Sequence, residues 1–456
     1  MTTSTNRRHF LATSSAAFAA ATTVSRSRLS AQELPNSNLR VALIGCGNRG
    51  IHDAELFKNT PGVELTHLCD VDSTRRQAAA QQLGLASSRV LPDLRYVLDD
   101  KTIDAVIIAT PDHWHSPAAI LACDAGKHVY VEKPISHNIR EGRLLVEAAE
   151  RNKSLVQHGT QCRSTQMMID AMRLLREGLI GNVLVAKCWN IQRRNPLPPG
   201  EDAPPPAELN YDAWIGPAPM IPYRTNRVHN RWTMWYHFGA GDMGNDGVHD
   251  LDYARWGLGV ETHPNKISAL GGKFFFNDDT EFPDTQQVTF QYDLPPNAPP
   301  VSAAGNGGPN QSALPPKKRL LIYEQRLWST NHPHNCDSGA EFYGDQGEMF
   351  LSRRGKIEVR NAEKAVVPLE VTPVRQDAAA HIANFCAAIR GEAKLNADAL
   401  TGHLSTSLAH LGNISTRLGR SLNFDPKTEQ IIDDKEANAL TRREYRDHWA
   451  RPRDSA

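Results

Sequence analysis

The 456-residue sequence contains no C-x-x-C pair, no apolar run long enough to read as a bilayer-spanning helix, and no excess of charge of either sign. Its 51 lysines and arginines are balanced by 51 aspartates and glutamates, so no global field exists to recruit nucleic acid or an anionic membrane surface. A small-molecule partner is expected instead. The seven cysteines suit neither a disulfide framework nor a zinc site, because Cys46, Cys69 and Cys123 fall inside apolar strand or helix patterns. Buried thiols and no metal are expected. At 40% hydrophobic residues the chain can build buried cores, and its length is too great for one of them. Two domains with a tail or insert follow.

The first residues stand apart. Arg7 and Arg8 precede His9, Phe10 and Leu11, then a weakly apolar, alanine-rich stretch to Ala21 without an acidic residue. This resembles a twin-arginine export signal, so residues 1–34 are set aside from the fold and an extracytoplasmic destination such as the periplasm is expected. That route carries folded proteins with bound cofactors. No transmembrane helix is expected in the mature chain.

From Leu39 the pattern is apolar strand, glycine turn, helix, with Gly45-Cys46-Gly47-Asn48-Arg49-Gly50 supplying G-x-G-x-x-G. Gly45 permits the tight turn, Gly47 lets the backbone approach a pyrophosphate, and Gly50 lets the helix pack close to its strand. Glycine turns also serve purely structural ends, so the context matters. A second apolar strand, Val63 to Cys69, ends at Asp70, whose carboxylate is placed to accept the adenosine ribose hydroxyls and so favours NAD. The alternatives are that Asp70 and Asp72 merely cap the helix beginning near Ser73, and that Arg75 or Arg76 attracts the 2′-phosphate of NADP. Strand Ala105 to Ala109 leads into Thr110-Pro111, helix Ser116 to Ala125 follows, and strand Lys127 to Val131 leads into Glu132-Lys133-Pro134. This alternation predicts an α/β fold, a doubly wound parallel Rossmann sheet over residues 35–160. Ligands of such sheets bind beyond the carboxyl ends of the strands, which brings Thr110, Pro111, His113, Glu132 and Lys133 to the cofactor.

Three separated segments together resemble the Gfo/Idh/MocA family, which includes glucose-fructose oxidoreductase and inositol dehydrogenase. They are the G-C-G-N-R-G turn, A-T-P-D-H-W-H with E-K-P, and G-D-M-G-N-D-G-V-H-D-L-D from Gly241 to Asp252. The resemblance covers nearly the whole mature chain. It implies that Lys133, the lysine of E-K-P, sits beside the nicotinamide and the reacting hydroxyl, where its charge would stabilise a developing alkoxide. Lys133-Pro134 is a candidate cis peptide. The family's D-x-x-x-H signature assigns the general base to His249 and places Asn245 where an aspartate is usual. Asn245 can hydrogen-bond a sugar hydroxyl but supplies no charge to raise the histidine, so Asp242 and Asp246 compete for the role of acidic partner.

After Leu155 to Gln161, residues 161–450 change character. Val183 to Gln192, Lys266 to Phe276, Thr285 to Tyr292, Arg319 to Trp328 and Lys356 to Val359 read as strands of a C-terminal α+β domain with a large, mostly antiparallel sheet. The proline-rich inserts 196–206 and 295–316 read as surface loops. Helices near Ala378 to Arg390 and Thr401 to Leu418 return to brace the two domains. The aromatic segment around Trp232, Trp235 and His237, with Gln161 and Arg163, offers stacking faces and polar groups suited to a sugar. The expected activity is hydride transfer between NAD, tightly held, and a hydroxyl of a sugar, glycoside or polyol, in a homo-oligomer. The alternatives are glycoside cleavage through transient oxidation, elimination and re-reduction, and a non-catalytic protein that retains NAD. Relatives that cleave glycosides lack the E-K-P lysine.

Overall fold

The computed structural model describes residues 38–229, 231–294 and 317–446. The expected export signal and the insert 295–316 lie outside the described residues.

Six short apolar strands alternate with helices and pair in parallel, because each helical crossover returns the chain to the same end of the sheet. They are β1 (Leu39–Ile44), β2 (Val63–Cys69), β3 (Val90–Leu91), β4 (Ala105–Ile108), β5 (His128–Val131) and β6 (Val156–His158), in the order β3-β2-β1-β4-β5-β6. β4 is buried at every residue and β1 at all but Arg40, as expected of central strands covered on both faces. The order reverses between β1 and β4, which opens a crevice at their carboxyl ends. Asp72 caps the helix Ser73–Leu83 by accepting the Arg75 N–H at 3.0 Å, whereas Asp70 does not cap it.

The second sheet has nine strands: β7 (Val183–Asn190), β8 (Lys266–Gly272), β9 (Thr285–Asp293), β10 (Lys318–Arg326), β11 (Ser338–Gly344), β12 (Gly347–Ser352), β13 (Lys356–Asn361), β14 (Leu422–Asp425) and β15 (Gln430–Ile431). Their order is β13-β12-β11-β7-β10-β9-β8-β14-β15, with every pair antiparallel except β7 with β10. Alternation along β9 buries Gln286, Val288, Phe290 and Tyr292 against the helices and leaves Gln287 and Asp293 in solvent. The helices Gly247–Leu258 and Ala399–Leu418 cover this inner face, and their buried residues join the same core.

The expected boundary at residue 160 is crossed by the returning chain. Phe385 packs edge-on against Phe57 and Tyr130, and Ile382 and Cys386 fill the same core beneath β1 and β4. The Gln157 side chain donates to the His381 carbonyl at 2.7 Å. The dinucleotide-binding half is therefore completed by residues from helix Ala378–Ile389. Truncating Phe385 to alanine should cost about 3–5 kcal/mol. All seven cysteines are buried free thiols.

Candidate active site

Gly45 turns out of β1 with φ +100°, and a Cβ there would lie 2.6 Å from the Ala109 carbonyl oxygen. A Cβ on Gly50 would lie 2.0 Å from the Gly45 carbonyl oxygen, so these two glycines are demanded by the chain's own packing. Gly47 differs, because an added Cβ would meet only the Arg75 guanidinium at 3.4 Å. That side of the turn is open. Gly47 begins the helix Asn48–Lys58 without any side-chain cap, leaving its first N–H groups available to an anion.

The turn forms one wall of a cleft of about 360 Å³, with Asn48, Asp70, Thr110 and Pro111 also lining it. This volume suits a small-molecule ligand. Asp70 accepts the Cys46 N–H at 2.7 Å and the Asp72 N–H at 2.8 Å. Burial pushes its carboxyl up even though those two donors favour the charged form. The Thr110 hydroxyl is buried without a partner among the described residues. An open glycine, an uncapped helix start, a carboxylate and an unmatched hydroxyl around one cleft fit a dinucleotide.

Two strand-end loops meet beside this cleft. Glu132 accepts Arg49 Nη2 at 2.7 Å and Gln161 Nε2 at 3.0 Å. Burial alone would raise its pKa, but the charges of Arg49 and Lys133 hold it below the usual carboxylate value. The Lys133-Pro134 bond is cis. His115 joins the loops, with Nδ1 2.6 Å from the Pro134 carbonyl and Nε2 2.8 Å from that of Thr110. Lys133 Nζ donates to Asn245 Oδ1 at 2.8 Å.

Asn245 ends the short helix Gly241–Asn245, one residue before Asp246 and the helix Gly247–Leu258. It lines the large cleft and also a second cavity of about 180 Å³ walled by Arg194, Thr233, Asp242, Phe276 and Phe282. Asp242 is fixed by Asn190 at 3.0 Å and Arg194 at 3.0 Å. Asp246 pairs with Arg194 and, at 3.4 Å, with Arg353. His249 is 5% exposed, and its Nδ1 is buried without a partner among the described residues. Burial, then the positive charges of Arg353 and Lys133, push the imidazole well below its ordinary value, while Asp246 pulls it up. Asp246 is the carboxylate whose charge acts on His249, and it does not offset burial and the two cations.

Residues 39–160 match the model of an oxidoreductase family's NAD-binding Rossmann fold, and residues 195–293 and 334–451 match the C-terminal alpha/beta domain of the same family. The chain belongs to the Gfo/Idh/MocA oxidoreductase family. Among curated relatives of this family member, a glycosyl hydrolase family 109 protein of Saccharopolyspora erythraea is 33% identical over 156 residues, which is 33% of this chain and 34% of that protein. The chain thus spans about a third of that relative's length. Two solved structures share the fold. The WlbA dehydrogenase from Bordetella pertussis, in complex with NADH and UDP-GlcNAcA, has a TM-score of 0.60 at 19% identity, covering 85% of this chain and 99% of that one. The aldose-aldose oxidoreductase from Caulobacter crescentus, complexed with glycerol, has a TM-score of 0.61 at 15% identity, covering 85% and 100%.

Several residues expected at the site of this Gfo/Idh/MocA protein are placed elsewhere. His113 is fully buried between Trp214 and Phe238, with Nε2 2.8 Å from the Trp214 carbonyl, and lines no part of the cleft. Two residues on a helix turn the side chain by about 200°, so His115 faces the loops while His113 faces away. Arg49 touches the cleft, yet its guanidinium is held by Glu132 and Asp53. Gln161 is engaged with Tyr130, Glu132 and Gln376, and Arg163 is a buried ion-pair partner of Asp252 at 2.8 Å. Trp235 is core, with Arg227 over its ring at 4.5 Å, and His237 opens onto a different cleft. Trp232 lines the cofactor cleft. The rings facing the smaller cavity are Phe276 and Phe282. Sequence reading missed them, and Arg194 and Arg353, because no local motif surrounds them.

Proposed function

We propose that this oxidoreductase transfers hydride between tightly held NAD and a hydroxyl-bearing carbon of a sugar, glycoside or polyol. The carrying observation is the contact of Lys133 with Asn245, the residue that lines both the cleft at the glycine turn and a small cavity lined by charged and aromatic side chains. Bound NAD supplies a hydride acceptor at the nicotinamide. Lys133, oriented by Asn245, stabilises the oxygen whose proton departs. His249, kept neutral by burial, holds a lone pair to receive that proton. Phe276 and Phe282 offer flat faces to C–H groups, while Arg194, Asp242 and Thr233 offer hydrogen bonds to hydroxyls. Asp70 orients the adenosine ribose and disfavours a 2′-phosphate.

The test begins with the nucleotide released when the purified folded protein is denatured, identified by mass. Single-turnover reduction of bound NAD is then followed with a panel of sugars, polyols and glycosides. Reduction by at least one member is expected. No released nucleotide, no binding on titration and no reduction would leave a protein without this chemistry.

A second reading, glycoside cleavage by transient oxidation and re-reduction, is favoured by the likeness to a family 109 glycosyl hydrolase. Cleavage of a glycoside without net NADH accumulation would select it. Arg7 and Arg8 fit twin-arginine export to an extracytoplasmic space, where a retained cofactor removes the need for a free pool. A homo-oligomer is part of the proposal and is measured by light scattering.

A further inference from the structure

A third cleft, of about 340 Å³, lies on the far side of Phe282 from the small cavity, and Phe282 is the one residue lining both. Its walls carry Arg417, Arg442 and Arg443, against a single carboxylate, Glu281. Arg443 is a buried anchor: Nη2 lies 2.7 Å from Glu141, while Nε and Nη1 have no acceptor among the described residues. Asn138, 4% exposed, likewise keeps its Nδ2 unmatched. Arg417 lies over the Tyr236 ring at 4.2 Å, and neither it nor Arg442 forms an ion pair among the described residues. Glu281 receives the Tyr236 N–H. The cleft is therefore positive: Arg417 and Arg442 have no carboxylate partner among the described residues, and Arg443 and Asn138 set unmatched buried donors behind its wall.

We propose that this cleft is a binding site for a small anion bearing a phosphoryl or carboxylate group, separate from the cofactor cleft and from the cavity at Asn245. A planar guanidinium recognises the oxygens of either group in pairs. The lining histidines, His137, His237 and His410, are all held below their ordinary pKa by burial. His137 and His410 already give Nε2–H to the Tyr236 and Ser136 carbonyls, so the donors to the anion are the arginines. The walls also brace the catalytic segments: His410 contacts the Ser136 carbonyl at 3.0 Å, and Asn413 donates to the Ala240 carbonyl at 2.8 Å.

The test uses the full protein saturated with NAD, so that the glycine turn cannot answer for the binding. Inorganic phosphate, gluconate and neutral glucose are titrated by calorimetry at low salt. Saturable binding of phosphate alone would assign a phosphoryl ligand, and of gluconate alone a carboxylate ligand. The double variant Arg417→Gln/Arg442→Gln should weaken that binding roughly tenfold or more, since each loses a charge-assisted hydrogen bond. Both side chains are exposed, so its melting temperature should match the parent's. No saturable binding of either anion, equal affinity in the double variant, or competition by glucose would overturn the assignment.

Discussion

Lys133 and Asn245 stand 112 positions apart in the chain, and their side chains meet at 2.8 Å where two clefts touch. Lys133 comes from the end of β5 and Asn245 from a short helix tied to β7 through Asn190 and Asp242, so the contact exists only when both halves are folded together.

Replacing Lys133 by alanine should lower turnover roughly 10² to 10⁴-fold, through lost stabilisation of charge on the reacting oxygen. Asn245→Ala should cost less, roughly tenfold, because it removes one charge-assisted hydrogen bond that orients the amine. Single-turnover reduction of bound NAD measures both. Unchanged rates in both variants would refute the assignment.

Asp70→Ala should weaken NAD more than NADP, since the carboxylate faces the cleft while anchored by the Cys46 and Asp72 amides. Fluorescence titration with each nucleotide gives the two affinities. A parent protein that prefers NADP would contradict the role given to this carboxylate.

Arg353 is 8% exposed and answers two carboxylates, the half-buried Asp246 at 3.4 Å and the buried Asp250 at 3.8 Å. Arg353→Met should destabilise the fold by about 3–5 kcal/mol, because it strands the buried Asp250 charge, whereas Asp246 keeps Arg194. It should also move the acid limb of the pH–rate profile upward, since the arginine's charge helps to hold His249 low. A denaturation midpoint and a rate profile both unchanged would count against the network.

Stability should fall on acidification. Burial lowers the imidazoles of His113 and His158 to about 3, and those of His381 and His410 to about 4, from the ordinary 6.5. Between those values the unfolded chain binds more protons than the folded one, so the contribution is complete above 6.5 and is lost as pH drops toward 4 and 3. Scanning calorimetry across this window should show a falling melting temperature. A flat profile would mean that these rings gain partners on protonation.

Replacing both Arg7 and Arg8 by lysine should retain the protein in the cytoplasm, as read by cell fractionation. Export at the parent level would remove the signal assignment.

Much of the first half was legible because its determinants are local. Strand, glycine turn, helix and strand-end loop follow one another within a few residues, so Gly45, Asp70, Thr110 and Lys133 could be named from spacing alone. The second sheet was harder. β11 begins Ser338-Gly339 and ends at Gly344, and β14 and β15 are only four and two residues long; such segments carry little period-2 signal and are held by their neighbours. The aromatic segment before Gly239 misled for a related reason, since composition shows that Trp235 is apolar but not which side of the wall it faces.

The sequence by itself determined the two-sheet architecture and the dinucleotide cradle, because each rests on backbone periodicity or on a motif whose chemistry is contiguous, whereas the pairing of Lys133 with the Asn245–His249 segment was implied only by the family resemblance. Only the tertiary structure decided that His115 and not His113 joins the strand-end loops, that Arg353 reaches Asp246, and that helix Ala378–Ile389 completes the first core. Those outcomes depend on which face each helix buries and which charges come within reach across hundreds of residues. Arg353 reaches Asp246 and Asp250 because burying its guanidinium without a carboxylate would cost too much free energy.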